Sequence, residues 1–442
     1  MADEWVTVQL GDVADLLTGF PFKSDQYVYD DKAPRLLRGD NISHGTLRWD
    51  GAKRWPTDAA EEMASYSLRE GDVILAMDRP WIEAGLKYAS VRASDLPSLL
   101  VQRVARLRGT DRVDTRFLKY VIGSRAFTEY VLAVQTGTAV PHISGGQIKS
   151  FRFPLPTPAE QRAIAHILGT LDDKIELNRR MNATLEAMTQ ALFKSWFVDF
   201  EPVRAKAAGQ VALGLNLATS LLFPDRLEDS VFGEIPKGWR VKTINEATAL
   251  IIDYRGKTPK KLGHGWSESG IPAVSAKNIK KGCLVEKQAM NFVHPELYDL
   301  WMKDKLALGD ILMTSEAPMG ELLYLSRNAQ FCLSQRVFGL RANPSECLST
   351  FLYLWLASNQ AQERLQSRST GTTVQGIRQS ELRKVEVLLP PLTIQERAHR
   401  FFEACISRSA NNECENETLA SLRDVLLPKL LSGELRVGAA VS

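Results

Sequence analysis

Four cations fall within eight residues at Tyr254-Arg255-Gly256-Lys257-Thr258-Pro259-Lys260-Lys261, and the interleaved Gly and Pro mark a loop. Lysine and arginine on such a loop neutralise phosphates, and either side chain can read a guanine edge. Arg255, Lys257, Thr258, Lys260 and Lys261 are therefore candidate DNA-binding residues. Lys277-Asn278-Ile279-Lys280-Lys281 forms a second basic patch. Asn278 there has the amide that pairs with an adenine edge, although asparagine is also a common turn former. Nearer the N-terminus, Arg35, Arg38, Asn41 and His44 occupy a comparable turn region, followed by Arg48, Lys53 and Arg54, and Arg79-Pro80-Trp81 makes another loop.

Other chemistries find no matching pattern. The Asn or Asp before Pro-Pro-aromatic of adenine methyltransferases is missing, because Pro390-Pro391 lies between Leu389 and Leu392. Gly256-Lys257-Thr258 ends like a phosphate loop, but Ile251 stands where its first glycine belongs. Pro224-Asp225 has no Glu-x-Lys at a useful distance to complete a nuclease site. Five cysteines, with no CxxC pair, and six scattered histidines give no zinc spacing. This pattern argues against catalysis and against a metal or cofactor held by the chain itself.

The elements that must carry the basic loops are repeated. Thr136–Val140 (TGTAV) returns at Thr370–Val374 (TGTTV), an offset of 370 − 136 = 234. Leu100–Arg108 returns at Leu333–Arg341, Leu68–Leu75 at Leu306–Met313, and Arg38–Leu47 is echoed at Ser275–Leu284. Trp5 and Trp239, and Asn182-x-Thr184-Leu185 and Asn416-x-Thr418-Leu419, complete the series in the same order. One unit is duplicated. Each copy mixes short strand-like runs with helical stretches such as Thr115–Val134 and Ser349–Gln366, which predicts an α+β head. Gln102-Arg103 and Gln335-Arg336 recur in both copies and so belong to the framework; residues that differ between copies are the better readers. In both, a proline step (Pro154–Pro158, Pro390-Pro391) precedes a long helix.

A heptad frame on the first helix, Ala159–Phe197, aligns Ile164, Leu171, Asn178, Leu185 and Leu192 at one core position. Ile167, Lys174, Met181, Met188 and Ser195 fall at the other, with Leu168, Ile175 and Trp196 flanking the seam and Lys174 and Arg408 interrupting it. A shift of 234 turns the first set into Ala398, Cys405, Asn412, Leu419 and Leu426, with asparagine central both times. A buried asparagine fixes register at a cost in stability. The two helices are expected to pack on each other, antiparallel about a pseudo-two-fold axis, with the chain ends meeting. Such a helix spans ~58 Å, between one and two ~34 Å turns of B-DNA. Asn411–Asn416 makes the start of the second a weaker helix former.

These helices carry a family resemblance. Leu171–Asn182, Leu185-Glu186 and Ala191–Phe197 resemble the central conserved region of type I restriction-modification specificity subunits. Leu426–Leu435 is similar to that family's C-terminal conserved region, and Phe223–Trp239 to the usual entry into its second target-recognition domain. The resemblance implies two α/β target-recognition domains (1–155 and 239–391), a central conserved helix (156–200), a connector (201–238) and a C-terminal helix and tail (392–442). It implies double-stranded DNA as ligand, read in two halves across a spacer set by an antiparallel coiled coil. It further implies docking of two modification subunits that bring S-adenosylmethionine for adenine methylation. A translocase-nuclease partner would bring ATP and Mg²⁺ for cleavage. Family members often carry an Arg-Gly-x-Thr-Pro loop like Arg255–Pro259.

The bulk composition agrees with this reading. A net charge of +3, from 55 Lys+Arg against 52 Asp+Glu, requires any basic footprint to be local. The N-terminus lacks the basic-then-apolar form of a signal peptide, no apolar run reaches membrane length, and unpaired cysteines suit a reducing bacterial or archaeal cytoplasm. A competing reading is a protein-interaction scaffold with duplicated binding heads. DNA affinity that falls steeply with salt separates the two.

Overall fold

The computed structural model describes residues 5–137, 139–371 and 374–437. The echoed Thr136–Val140 and Thr370–Val374 loops thus fall partly outside the described residues, at 138 and 372–373. The chain forms two compact units, Met1–Leu177 with Glu415–Ser442, and Asn178–Cys414. The division falls inside both long helices, so each unit comprises one head and half of each helix.

In the first unit, β1 (Val6–Gln9) pairs antiparallel with β8 (Arg152–Leu155). The central sheet is antiparallel, with β2 (Ala14–Thr18), β7 (Val104–Gly109), β4 (Val73–Ala76) and β5 (Tyr88–Ser90) side by side. Beside it, β3 (Arg35–Leu37) pairs parallel with β6 (Ser98–Leu100). The helical stretch Thr115–Val134 is two helices, α1 (Thr115–Ile122) and α2 (Arg125–Val134). Gly123 ends the first, and the Ser124 hydroxyl caps the second by accepting from the Phe127 amide. These helices bury Phe117, Val121 and Phe127 against Leu75, Leu107 and the first half of the long helix α3 (Pro158–Phe197).

The second unit repeats this plan. β9 (Arg240–Thr243) pairs with β16 (Glu386–Leu389). Its central sheet runs β10 (Thr248–Asp253), β15 (Val337–Ala342), β12 (Ile311–Thr314), β13 (Leu322–Tyr324). A parallel pair, β11 (Ile271–Val274) with β14 (Cys332–Leu333), again lies beside it. Val73 faces Leu107 and Ile311 faces Leu340, so the echoed segments hold equivalent places. Here too the helical stretch is two helices, α4 (Ser349–Ala357) and α5 (Asn359–Ser367), with Ser358 as cap.

The second long helix, α6 (Leu392–Ser432), stays continuous through Asn411–Asn416. Its weak local propensity is overridden by tertiary packing, which supplies most helix stability in proteins. The two long helices pair antiparallel. In the first unit Asp172 meets Arg423 and Lys174 meets Glu415, at 3.0 and 3.1 Å. In the second, the Asn412 amide donates to Asn182 at 2.7 Å and the Asn182 amide to the Ser409 carbonyl. Ile164, Asn178, Cys405 and Asn412 are buried; Leu171, Leu185, Leu192, Leu419 and Leu426 are half-buried. The other stripe lies one residue beyond the expected frame. Leu168, Ile175, Thr189 and Trp196 are buried, whereas Met188 is 48% exposed. A four-residue step from Ile164, rather than a three-residue one, keeps these side chains on the packed face.

The first and last described stretches of the chain meet in the first unit, as a closed repeat requires. The Trp5 indole donates to Glu160, Arg436 ion-pairs with that carboxylate and lies over the Trp5 ring, and Gly433 packs beside it. In the second unit Phe402 is fully buried with its ring near Phe193 and Phe197. Phe402→Ala should cost about 3–5 kcal/mol by leaving a cavity. Urea titration would show it as an early unfolding transition confined to the second unit, because a chain of two units need not melt in one step.

Candidate nucleic-acid interface

Both heads build the same turn beside the parallel strand pair. In Arg38–Asn41 the Asn41 carbonyl accepts from the Arg38 amide at 2.9 Å, and its NH₂ donates to the Arg48 carbonyl at 3.0 Å. In Ser275–Asn278 the Asn278 carbonyl accepts from Ser275, and its NH₂ donates to Val285. Both asparagines are buried. Their amides hold the turns together, which removes them from the exposed set. Arg38, His44, Arg48, Lys277, Lys280 and Lys281 remain exposed on or next to these turns. The exposed His44 sets Nδ1 3.0 Å from the Leu86 carbonyl and its ring edge-on to Tyr88.

The basic loop of the second head divides in two. Arg255 turns inward: Nε and Nη2 each donate to Asp253 at 2.8 Å, Nη1 donates to the Ile377 carbonyl, and the guanidinium lies 3.9 Å from the Phe338 ring centre. Lys257 donates to the Trp301 carbonyl and lies over Tyr254. Thr258 accepts from the Lys261 amide. Lys260 and Lys261 are the exposed members, with Lys261 Nζ 2.7 Å from the Gly256 carbonyl. Gly256 adopts φ +87°, a conformation glycine takes without steric cost.

In the first head Arg35 is half-buried, donating to the Ser94 carbonyl and stacked over Trp49. Arg79 is exposed and left-handed at φ 43°. Arg103 and Arg336 are also left-handed, at φ 63° and 67°, and each pairs with an acid, Asp78 at 2.6 Å and Glu316 at 2.9 Å. Asp78 accepts a second contact from His142. Burial would raise its pKa, but Arg103 and His142 outweigh that and hold the carboxyl below its ordinary range.

Two duplicated framework devices escaped the sequence reading. Asp72 and Asp310 each accept from an arginine, Arg108 and Arg341, and from a turn amide, at Arg69 and Ala307. Buried Gln161 and Gln395 each clamp a proline step to the head. They donate to the carbonyls of Pro156 and Arg112, or of Pro390 and Glu346, and accept from the amides of Asp114, or Leu348. The signal was present, because Gln161 and Gln395 are 395 − 161 = 234 apart. Among the described residues no group of His, Cys, Asp and Glu is placed to hold a metal, and no helix is long and apolar enough to cross a membrane.

Duplicated α/β heads, each bearing exposed cations on matching turns and each seated on half of an antiparallel helix pair, define a two-headed recognition protein. The family model described as "Type I restriction modification DNA specificity domain" matches residues 2–187 and again 236–421. The chain belongs to this family of type I restriction-modification DNA specificity subunits. It is 26% identical over 441 residues to the type I restriction enzyme MjaIX specificity subunit of Methanocaldococcus jannaschii, covering 98% of this chain and 94% of that one. It is 27% identical over 421 residues to the HindI specificity subunit of Haemophilus influenzae, covering 84% and 88%. The crystal structure of the type I restriction-modification S subunit from M. genitalium shares the fold, with TM-score 0.61, 14% identity and coverage of 98% and 97%.

Proposed function

We propose that each head reads one half of a split duplex-DNA sequence, and that the helix pair sets the unread gap. The carrying observation is the matched pair of turns: one framework holds Arg38, His44 and Arg79 in the first head and Ser275, Lys281 and Ala317 at the same places in the second (offsets 237, 237 and 238). A matching scaffold with different side chains, all exposed except the half-buried Ser275, is what two different half-sites require. Lys260, Lys261, Lys277 and Lys280 extend the cationic surface of the second head, and Arg48 that of the first. The half-buried Arg35, Arg255 and Lys257 brace these surfaces.

In this reading the chain docks two methyltransferase subunits, which bind S-adenosylmethionine, and works with a translocase-nuclease that uses ATP and Mg²⁺, in the cytoplasm of a bacterial or archaeal cell. The test is to map methylated adenines in host DNA with and without this chain. A bipartite motif with a constant gap, present only with the chain, is the expected result. The purified chain alone should transfer no methyl group and cut no DNA, while its affinity for duplex falls steeply with salt. Salt-independent binding, or a methylation map that ignores the chain, would favour a protein-binding scaffold.

A further inference from the structure

Lys87, just ahead of β5 in the first head, is only 8% exposed. Its backbone is pinned beneath the Arg79–Trp81 loop: its amide donates to the Pro80 carbonyl at 2.7 Å and its carbonyl accepts from Ala76 at 3.0 Å. Its ammonium reaches the opposing turn, where a Cβ built on Gly39 would lie 3.9 Å from Nζ. There the side chain makes neither a hydrogen bond nor an ion pair with any described residue. Burial draws its pKa below the ordinary lysine value; Asp40 and Asp78 offset this in part, while Arg79 adds to it.

The stem of Lys87 is enclosed, while its Nζ is not among the buried polar atoms left without a partner; the ammonium is thus held in a fixed place, open to water and bonded to no protein group, where an anion can replace its hydration. The second head shows the satisfied alternative. Leu75 faces Tyr88 as Met313 faces Leu322, so the position matching Lys87 is Glu321. That carboxylate accepts from the Lys281 amide at 2.6 Å. Among the described residues the first head has at this place a charge that makes no hydrogen bond or ion pair, where the second has one that does. The neighbouring rim carries both signs with cations in excess: Arg38 adjoins Gly39 and lies 3.9 Å from the exposed Asp40, Arg79 adjoins Pro80, Asp78 is taken up by Arg103 and His142, and His44 contacts the carbonyl of Leu86.

We propose that Lys87 is a phosphate-binding residue of the first head, holding one backbone phosphate of the half-site which that head reads. A compact ammonium recessed between two turns suits a protruding phosphate oxygen, whereas planar base edges favour the forked arginine and amide groups. The assignment rests on the proposed DNA-reading function, and it names a residue that supplies affinity and placement rather than sequence discrimination.

The test uses the full chain with its methyltransferase partners, the mapped target duplex and an unrelated duplex of equal length, titrated from low to moderate salt. Lys87→Met should weaken both duplexes by a similar factor and flatten the slope of log affinity against log salt by about 0.9, the value of one phosphate contact. Its melting temperature should hold, since no hydrogen bond or ion pair within the protein is removed. Lys87→Gln should also weaken both and flatten the slope, because it keeps a polar tip of similar reach without the charge. This second variant decides the matter should Lys87→Met fail to fold. An unchanged salt slope in a folded variant overturns the proposal, as does a loss confined to the mapped sequence. A wild-type chain without salt-dependent affinity would instead sink the DNA-reading function itself.

Discussion

Duplicating Asn178–Thr184 together with Asn412–Thr418 is expected to abolish methylation at the native bipartite sites while leaving the chain folded and its affinity for unrelated duplex intact. The two segments are equivalent (412 − 178 = 234). Repeating both preserves the packed stripe and offers each added asparagine a partner like the Asn412–Asn182 bond. One heptad lengthens a helix by about 10.5 Å and rotates its face by only about 20°. Over that distance B-DNA advances about three base pairs and its groove turns by about 100°. If the helix pair sets the gap, the heads no longer meet the groove in phase at the old spacing. Residual methylation should then move to sites with a longer gap and unchanged half-sites. Sequencing of methylated adenines reads this directly. Methylation persisting at the original gap would show that the helices do not measure it. Duplication in one helix alone leaves seven residues without counterparts and should destabilise the pair.

The duplicated architecture was legible because the repeated residues are framework residues. Gly-Asp before β4 and β12, and Gln-Arg-Val leading into β7 and β15, serve the same folds twice and therefore kept their spacing. The antiparallel pairing followed from two equivalent helices in one chain. Its second stripe is only partly legible: Lys174 interrupts a three-four alternation, and burial selects the flanking Ile175, and Thr189 in place of Met188. Which cations face solvent was much less legible. Composition marks Tyr254–Lys261 as a basic loop, but nothing local reveals that Phe338 and Asp253 lie beneath Arg255. Asn41 and Asn278 have the amide of a base reader, and the partners that consume it are seven residues downstream in each copy, at Arg48 and Val285. Lys87, between Leu86 and Tyr88, belongs to no motif at all. Its isolation is a property of the folded turns around it.

The second large effect concerns how the first head is fastened. Asp172 on α3 accepts from Tyr120 at 3.0 Å and from Arg423 at 3.0 Å, and it ion-pairs with Lys119, joining α1 to both long helices. The offset of 234 maps Asp172, Lys119 and Arg423 onto Ile406, Tyr353 and Thr189, so the second unit has no such ionic joint. Asp172→Asn should therefore destabilise the first unit selectively. Removing one partner of a buried pair costs about 3–5 kcal/mol; Lys119 and Arg423 are partly exposed, at 24% and 30%, and can rehydrate, which brings the expectation to about 2 kcal/mol. The pH dependence has a definite sign. Burial would raise the Asp172 pKa, but Lys119 and Arg423 outweigh it, leaving the folded value below the ordinary one. The stabilisation is thus fully present above the unfolded aspartate pKa of about 3.9 and is lost as pH falls through the folded value. Denaturant titrations of wild type and Asp172→Asn should diverge at pH 7 and converge progressively below pH 4. Hydrogen exchange should place the loss in Thr115–Ile122 and the adjoining helix halves. A gap between the two proteins that stays constant from pH 7 to acid would show that the aspartate acts there by shape and not by charge.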